Sequence, residues 1–186
     1  MINGDKIEMR FSGFGGQGVV LASIIYGNAL AKEGFNVIQT QAYGIEARGG
    51  ASSGEVIYSK EIINHLHVTA PNVLLALSQE ACDKYVKDVR AGGIVICDSY
   101  YIDVLPQRKD IEVYAAPLTE IAINEMGKKL FTNTLSLGFI NGIMNNVKPE
   151  NLMAALVDQV GNKSKEENSR ALALGYQKAQ ELLKKK

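Results

Sequence analysis

Gly13-Phe14-Gly15-Gly16-Gln17-Gly18 is the first stretch of the chain whose residue types and spacing suggest chemistry. Glycines at these positions let a turn tighten until backbone N–H groups can approach an anion, and a helix starting just after them adds a partial positive charge. The surroundings supply that context. Residues 7–12 alternate as a short strand does, and residues 19–32 carry helix formers with an apolar face through Val20, Ile24 and Ala31. Gly34 stands where a helix would be capped, and residues 35–40 read as a second strand, so the chain opens as a βαβ unit. This is the setting of the dinucleotide-binding fingerprint. That fingerprint also needs an acidic residue at the end of the second strand for the ribose hydroxyls. Here the strand ends Gln39-Thr40-Gln41, without a carboxylate. No Lys-Ser/Thr pair follows Gly18, which excludes a Walker loop. Two readings stay open: a turn that only lets helix and strand pack closely, or one that faces an anion or a partner without binding NAD in the standard way. The second is favoured.

A second glycine-rich stretch, residues 42–54, includes Tyr43-Gly44-Ile45-Glu46-Ala47-Arg48-Gly49-Gly50. Arg48 offers a planar fork of donors for phosphate or carboxylate, Gly49 and Gly50 keep side chains out of the way, and Ser52 and Ser53 add hydroxyls. In an open parallel sheet ligands bind beyond the carboxyl ends of the strands, which would put both glycine loops on one edge. The plain alternative is a surface loop in which Arg48 pairs with Glu46 or with nothing.

The remaining elements must position these loops. Residues 55–59 read as a strand, 73–77 and 94–97 as strands buried on both faces, and 111–115 as a further strand. Residues 79–90 read as helical. After Pro117 only helices follow, over 119–126, 133–145, 150–160 and 165–183. Gly127 can cap the first of these, Pro149 fits a first helical position, and Ser164 with Glu167 forms a capping-box pattern. The order implies one α/β domain: a Rossmann-like, open, mostly parallel sheet with helices on both faces and a C-terminal helical extension. Residues 7–117 form its α/β core and 118–186 its helical part.

The 186 residues carry 20 basic and 20 acidic side chains, a formal net charge of zero, which speaks against an electrostatic nucleic-acid binder. The uncharged window 11–31 is interrupted by five glycines and several polar residues, so no membrane span is expected. The N-terminus has no basic-then-apolar signal pattern, and the cytoplasm is the expected compartment. The two cysteines, Cys82 and Cys97, cannot supply the four thiolates an iron–sulfur cluster usually takes, and read as structural thiols. His65 and His67 would share one strand face, but Asn64 is a poor third ligand and no metal is expected. No nucleophile–base order, zinc motif or thiamine-type GDG run is present. The residues thus offer a place to bind and no catalytic set of their own.

Gly13-Phe14-Gly15-Gly16-Gln17-Gly18-Val19-Val20-Leu21-Ala22, joined to Gln39-Thr40-Gln41-Ala42-Tyr43-Gly44-x-Glu46-x-Arg48-Gly49-Gly50, resembles the gamma subunit of 2-oxoacid:ferredoxin oxidoreductases, in wording nearest the 2-oxoglutarate branch. The resemblance continues through Leu75-Ala76-Leu77-Ser78-Gln79-Glu80, Gly92-Gly93-Ile94, Pro117-x-Thr119-Glu120-Ile121-Ala122, Asn133-x-x-x-Leu137-Gly138 and Glu167-Asn168-x-x-Ala171-x-x-x-Gly175-Tyr176. The indolepyruvate branch shares both glycine motifs, so it stays open beside the 2-oxoglutarate and pyruvate branches. A stand-alone NAD-dependent oxidoreductase is the other alternative.

The resemblance implies a role within a larger enzyme. Such a complex converts a 2-oxoacid and coenzyme A to an acyl-CoA and carbon dioxide, and passes two electrons to ferredoxin. It implies alpha, beta and delta companion subunits, which carry thiamine diphosphate, magnesium and a 4Fe–4S cluster. By position, Gly13, Gly15, Gly16, Gln17 and Gly18, with Tyr43, Glu46, Arg48, Gly49 and Gly50, would form the edge facing coenzyme A and those subunits. Apolar faces meant for partners would allow the isolated chain to dimerise.

Overall fold

The computed structural model describes residues 6–42, 51–162 and 164–185. Six strands form one sheet: β1 (Lys6–Gly13), β2 (Asn36–Ala42), β3 (Ser52–Ser59), β4 (Val73–Ala76), β5 (Ile94–Asp98) and β6 (Glu112–Ala116). Their spatial order is β2-β3-β1-β4-β5-β6. β1, β4, β5 and β6 pair in parallel, whereas β3 is antiparallel to both β1 and β2. The sheet is therefore mostly parallel, as expected. The opening crossover is not between neighbours, however. β1 and β2 point the same way, but β3 lies between them, with Gly13 opposite Ser52 and Ala42 opposite Ser53. In a dinucleotide-binding fold the second strand lies beside the first. Here the Gln39–Gln41 end is displaced by one further strand spacing, about 4.8 Å.

β3 also starts three residues before the expected strand, since Ser52, Ser53 and Gly54 join the ladder. Gly54 is there for packing: a Cβ on it would lie 2.7 Å from Ser23 Cβ and 3.2 Å from Val20 Cα of α1 (Val19–Lys32). The turn-like composition of this stretch serves the close approach of helix to sheet.

The strands sort their side chains by period two. Met9 and Phe11, Val73 and Leu75, and Ile94 and Ile96 point into the larger core, with α1 and the helices α3 (Leu118–Met126), α4 (Thr132–Met144), α5 (Pro149–Val160) and α6 (Lys165–Leu183). Leu74, Val95 and Cys97 point to the other face, against Cys82 and Tyr85 of α2 (Gln79–Tyr85). The helix read over 79–90 ends early: Val86–Asp88 form a 3₁₀ turn and Val89 is extended. Both cysteines are buried thiols.

On that second face β1 presents Glu8 and Arg10, two buried charges. Residues 60–71 cross over them. Arg10 donates to Glu55 Oε1 (2.7 Å) and to the Val68 carbonyl (2.7 Å), while Glu8 accepts from the Thr69 N–H (3.2 Å). This corrects the reading of the histidines. His65 and His67 lie in an irregular crossing segment, not on a strand, and His65 Nε2 sits 3.2 Å from Glu8 Oε1.

The helical layer is held by close backbone contact. A Cβ on Gly138 of α4 would meet the Leu172 carbonyl of α6, and one on Gly175 would meet the Leu135 carbonyl and lie 2.9 Å from the Phe139 N. α6 has the expected bounds, but the capping box does not form. Ser164 (φ −127°, ψ 36°) lacks the extended backbone that aims a hydroxyl at the first turn, and its side chain caps nothing. The larger core draws on both parts of the chain, from Ile7 to Ala179.

Candidate functional site

The glycine turn closes β1 and opens α1. Its shape is fixed by Gln17, whose side chain accepts from the Phe14 N–H (2.8 Å) and donates to the Leu77 carbonyl beyond β4 (2.7 Å). Both ends of that amide are thus spent on tying the turn to the sheet. Gly13 has no room for a side chain, since a Cβ would run into Gln17 Oε1 and lie 3.2 Å from Leu77. Gly16 (φ 92°) and Gly18 (φ 74°) adopt the left-handed backbone that favours glycine. Around Gly15 and Gly16, by contrast, a Cβ would meet nothing within 4 Å. Those two positions are bare toward solvent.

α1 begins at Gly18 with no side-chain cap and no acidic residue in its first turn. Its leading N–H groups and the positive end of its dipole are therefore available to an anion. The turn forms one wall of a cleft of about 300 Å³. The opposite wall comes from three other places: Tyr101 after β5, Thr119 at the start of α3, and Lys129, Leu130, Thr132 and Asn133 where a 3₁₀ turn (Lys129–Phe131) leads into α4. Phe14 meets Tyr101 edge to face at 5.3 Å, and Tyr101 meets Tyr100 likewise at 4.8 Å. Among the described residues no carboxylate lines the cleft, and Lys129, which does, forms no ion pair. The site offers N–H donors, a cation, hydroxyls and aromatic edges, which suits a phosphate-bearing or carboxylate-bearing ligand with an apolar part.

Directly behind the far wall lies Asp98, the last residue of β5 and fully buried. Burial pushes its pKa up, and hydrogen bonds from Thr119, Tyr100 and Leu118 only partly offset that.

Gly13, Gly15, Gly16, Gln17 and Gly18 thus come together as one wall. Tyr43, Glu46, Arg48, Gly49 and Gly50 lie outside the described residues. The described chain on either side of them, Ala42 and Ser52, flanks the sheet edge where Gly13 ends β1. The far wall was not legible as a site, although the Pro117–Ala122 and Asn133–Gly138 patterns mark two of its segments. Lys129 carries no local signal. Nor do the described residues suit a metal or cluster: none gathers three ligating side chains. No helix among them is long and apolar enough to cross a membrane.

Comparison with known proteins gives consistent matches. The family model described as pyruvate ferredoxin/flavodoxin oxidoreductase matches residues 8–178. The 2-oxoglutarate synthase subunit KorC of Methanocaldococcus jannaschii is 41% identical over 178 residues, covering 94% of this chain and 95% of that protein. Among solved structures, the gamma subunit of a keto/oxoacid ferredoxin oxidoreductase from Geobacter sulfurreducens superposes with a TM-score of 0.87 at 35% identity, over 96% of this chain and 99% of that one. The 2-oxoglutarate:ferredoxin oxidoreductase of Magnetococcus marinus, solved with 2-oxoglutarate, coenzyme A and succinyl-CoA bound, shares the fold (TM-score 0.82, 23% identity) over 99% of this chain and 32% of its own.

Proposed function

The chain belongs to the pyruvate ferredoxin/flavodoxin oxidoreductase family, and from that premise we propose that it works as the gamma subunit of a 2-oxoacid:ferredoxin oxidoreductase acting on 2-oxoglutarate, with the glycine-turn cleft as its share of the coenzyme A side of the active site. The assembled enzyme would convert 2-oxoglutarate and coenzyme A to succinyl-CoA and carbon dioxide, the two electrons passing to ferredoxin. Full-length similarity to KorC supports the 2-oxoglutarate assignment.

The observation that carries the coenzyme A part is the donor-lined cleft at the carboxyl edge of the sheet, which no carboxylate among the described residues lines. Coenzyme A is polyanionic at one end, and bare N–H groups at a helix start with a nearby ammonium complement it. Tyr43, Glu46, Arg48, Gly49 and Gly50 would complete the rim, since the chain on both sides of them lies at that edge. Thiamine diphosphate, magnesium and the 4Fe–4S cluster belong to alpha, beta and delta companions in this reading, because the chain's two thiols are buried and the described residues gather no ligand set. In this reading it is a single domain, as the core shared by its 7–117 and 118–186 parts supports, and it works in the cytoplasm.

The test is purification from the native host followed by assay. The chain should co-purify with thiamine- and cluster-bearing subunits, and the complex should reduce ferredoxin with 2-oxoglutarate and coenzyme A faster than with pyruvate, 2-oxoisovalerate or indolepyruvate. A chain that never associates with such partners overturns the reading. A complex that prefers another 2-oxoacid overturns its substrate part.

A further inference from the structure

The cleft's far wall is assembled from separate loops, yet it hangs on one residue that does not itself line the cleft. Asp98 Oδ2 accepts from Thr119 Oγ1 at 2.6 Å, and Oδ1 accepts from the Thr119 N–H and the Tyr100 N–H, each at 3.2 Å. The Asp98 carbonyl accepts from the Tyr101 N–H at 3.1 Å. Thr132 Oγ1 in turn lies 3.3 Å from Thr119 Oγ1 and donates to the Lys129 carbonyl at 2.7 Å. Tyr101, Thr119, Thr132 and Lys129 all line the cleft. Pro117, where α3 begins, offers no side-chain cap, so the Asp98 carboxylate supplies one from across the sheet edge.

A buried carboxylate with no ion pair among the described residues is an expensive way to cap a nine-residue helix. An apolar residue with a local serine or aspartate cap would do the same. What the carboxylate adds is reach: it fixes α3 and the Tyr100–Tyr101 corner, and the Thr119 hydroxyl it holds packs against Thr132 Oγ1, which binds the Lys129 carbonyl. We infer that Asp98 is a positioning residue for the cleft, holding the cation-bearing wall at a set distance from the glycine turn through Thr119 and Thr132. This deepens the coenzyme A reading and rests on it.

The experiment measures steady-state kinetics of the assembled complex carrying Asp98→Asn, Thr119→Val, Thr119→Ser or Gly15→Val in this chain. Thr119→Val should raise the KM for coenzyme A about tenfold, the loss expected from one hydrogen bond that orders a binding wall. Thr119→Ser, which keeps the hydroxyl, should stay near wild type. Asp98→Asn should act in the same direction, with kcat and the KM for the 2-oxoacid unchanged. If Thr119→Val and Asp98→Asn lower thermal stability but leave the KM for coenzyme A alone, Asp98 is a structural cap only and the inference falls. Gly15→Val separates this failure from that of the parent reading. It crowds the bare wall without meeting protein atoms at its Cβ. If it raises the KM while the Asp98 and Thr119 variants do not, only the positioning role fails. If it too has no effect, the cleft is not the coenzyme A site and both readings fall.

Discussion

Gly18 and Asn133 meet at the mouth of the cleft: a Cβ on Gly18 would lie 2.6 Å from Asn133 Nδ2. One residue ends the glycine turn and the other stands in the first turn of α4, 115 positions later. Asn133 Oδ1 accepts from the Thr134 N–H at 2.7 Å, so its amide group is held from behind. The turn's width is therefore set by a contact between the two parts of the chain.

Gly18→Ala should destabilise the chain. The left-handed backbone alone costs a non-glycine residue about 1–2 kcal/mol, and Asn133 must also give way. Gly15→Ala should change stability by less than about 0.5 kcal/mol, as a surface substitution free of contacts does. Urea denaturation of the two variants side by side checks the contrast, which separates a glycine needed by the fold from one left bare toward the cleft.

The Arg10–Glu55 pair should behave as a buried ion pair. Arg10 donates to Glu55 Oε1 from Nη2 (2.7 Å) and Nε (2.9 Å) and lies over the Tyr85 ring. Arg10→Met alone should cost about 3–5 kcal/mol, because Glu55 is left buried without its cation. Adding Glu55→Gln should recover part of that loss. A double-mutant cycle by denaturant unfolding measures the recovery.

Two buried carboxylates should respond to pH with opposite sign. Burial pushes the Glu8 pKa up, but hydrogen bonds from Lys6, His65 and the Ala70 N–H, with the charge of Lys6, bring it below its ordinary 4.5. Its contribution to stability is therefore complete above about 4.5 and lost as pH falls through the depressed value. Asp98 is raised above 3.8, chiefly by burial. Its contribution is complete below 3.8 and lost as pH rises through the raised value. Relative to wild type, Glu8→Gln should thus be most costly at neutral pH, and Asp98→Asn should be least costly there. Stability curves from pH 3 to 7 read both.

Gly175→Ala should weaken the α4–α6 contact. The added methyl would press on the Leu135 carbonyl and the Phe139 N, backbone atoms that cannot rotate away. Overpacking of this kind costs about 1–3 kcal/mol. The loss should appear as a lower denaturant midpoint, with the far-ultraviolet circular dichroism of the folded chain unchanged.

Much of this architecture was legible because local signals agreed. Gly127 ends α3 and Pro149 opens α5 as their residue types require, and the glycine turn falls between β1 and α1. What was not legible is non-local. Nothing near residues 52–54 says that they pair with both β1 and β2, since the glycine that looked like a loop residue answers to Ser23 on another element. The His65 segment alternates no more than its neighbours do, and its role over Glu8 depends on a strand more than 50 residues earlier. The far wall joins Tyr101, Thr119 and Lys129 from three separate stretches of chain, with Asp98 behind them. Each is unremarkable in its own stretch of sequence, and only the fold brings them together.

The most direct measurement is photo-cross-linking of the assembled complex with a diazirine-bearing coenzyme A analogue, read by peptide mass spectrometry. This account expects adducts on residues 14–18 or 129–133 of this chain, lost when excess coenzyme A competes. Competable adducts confined to the companion subunits would contradict it.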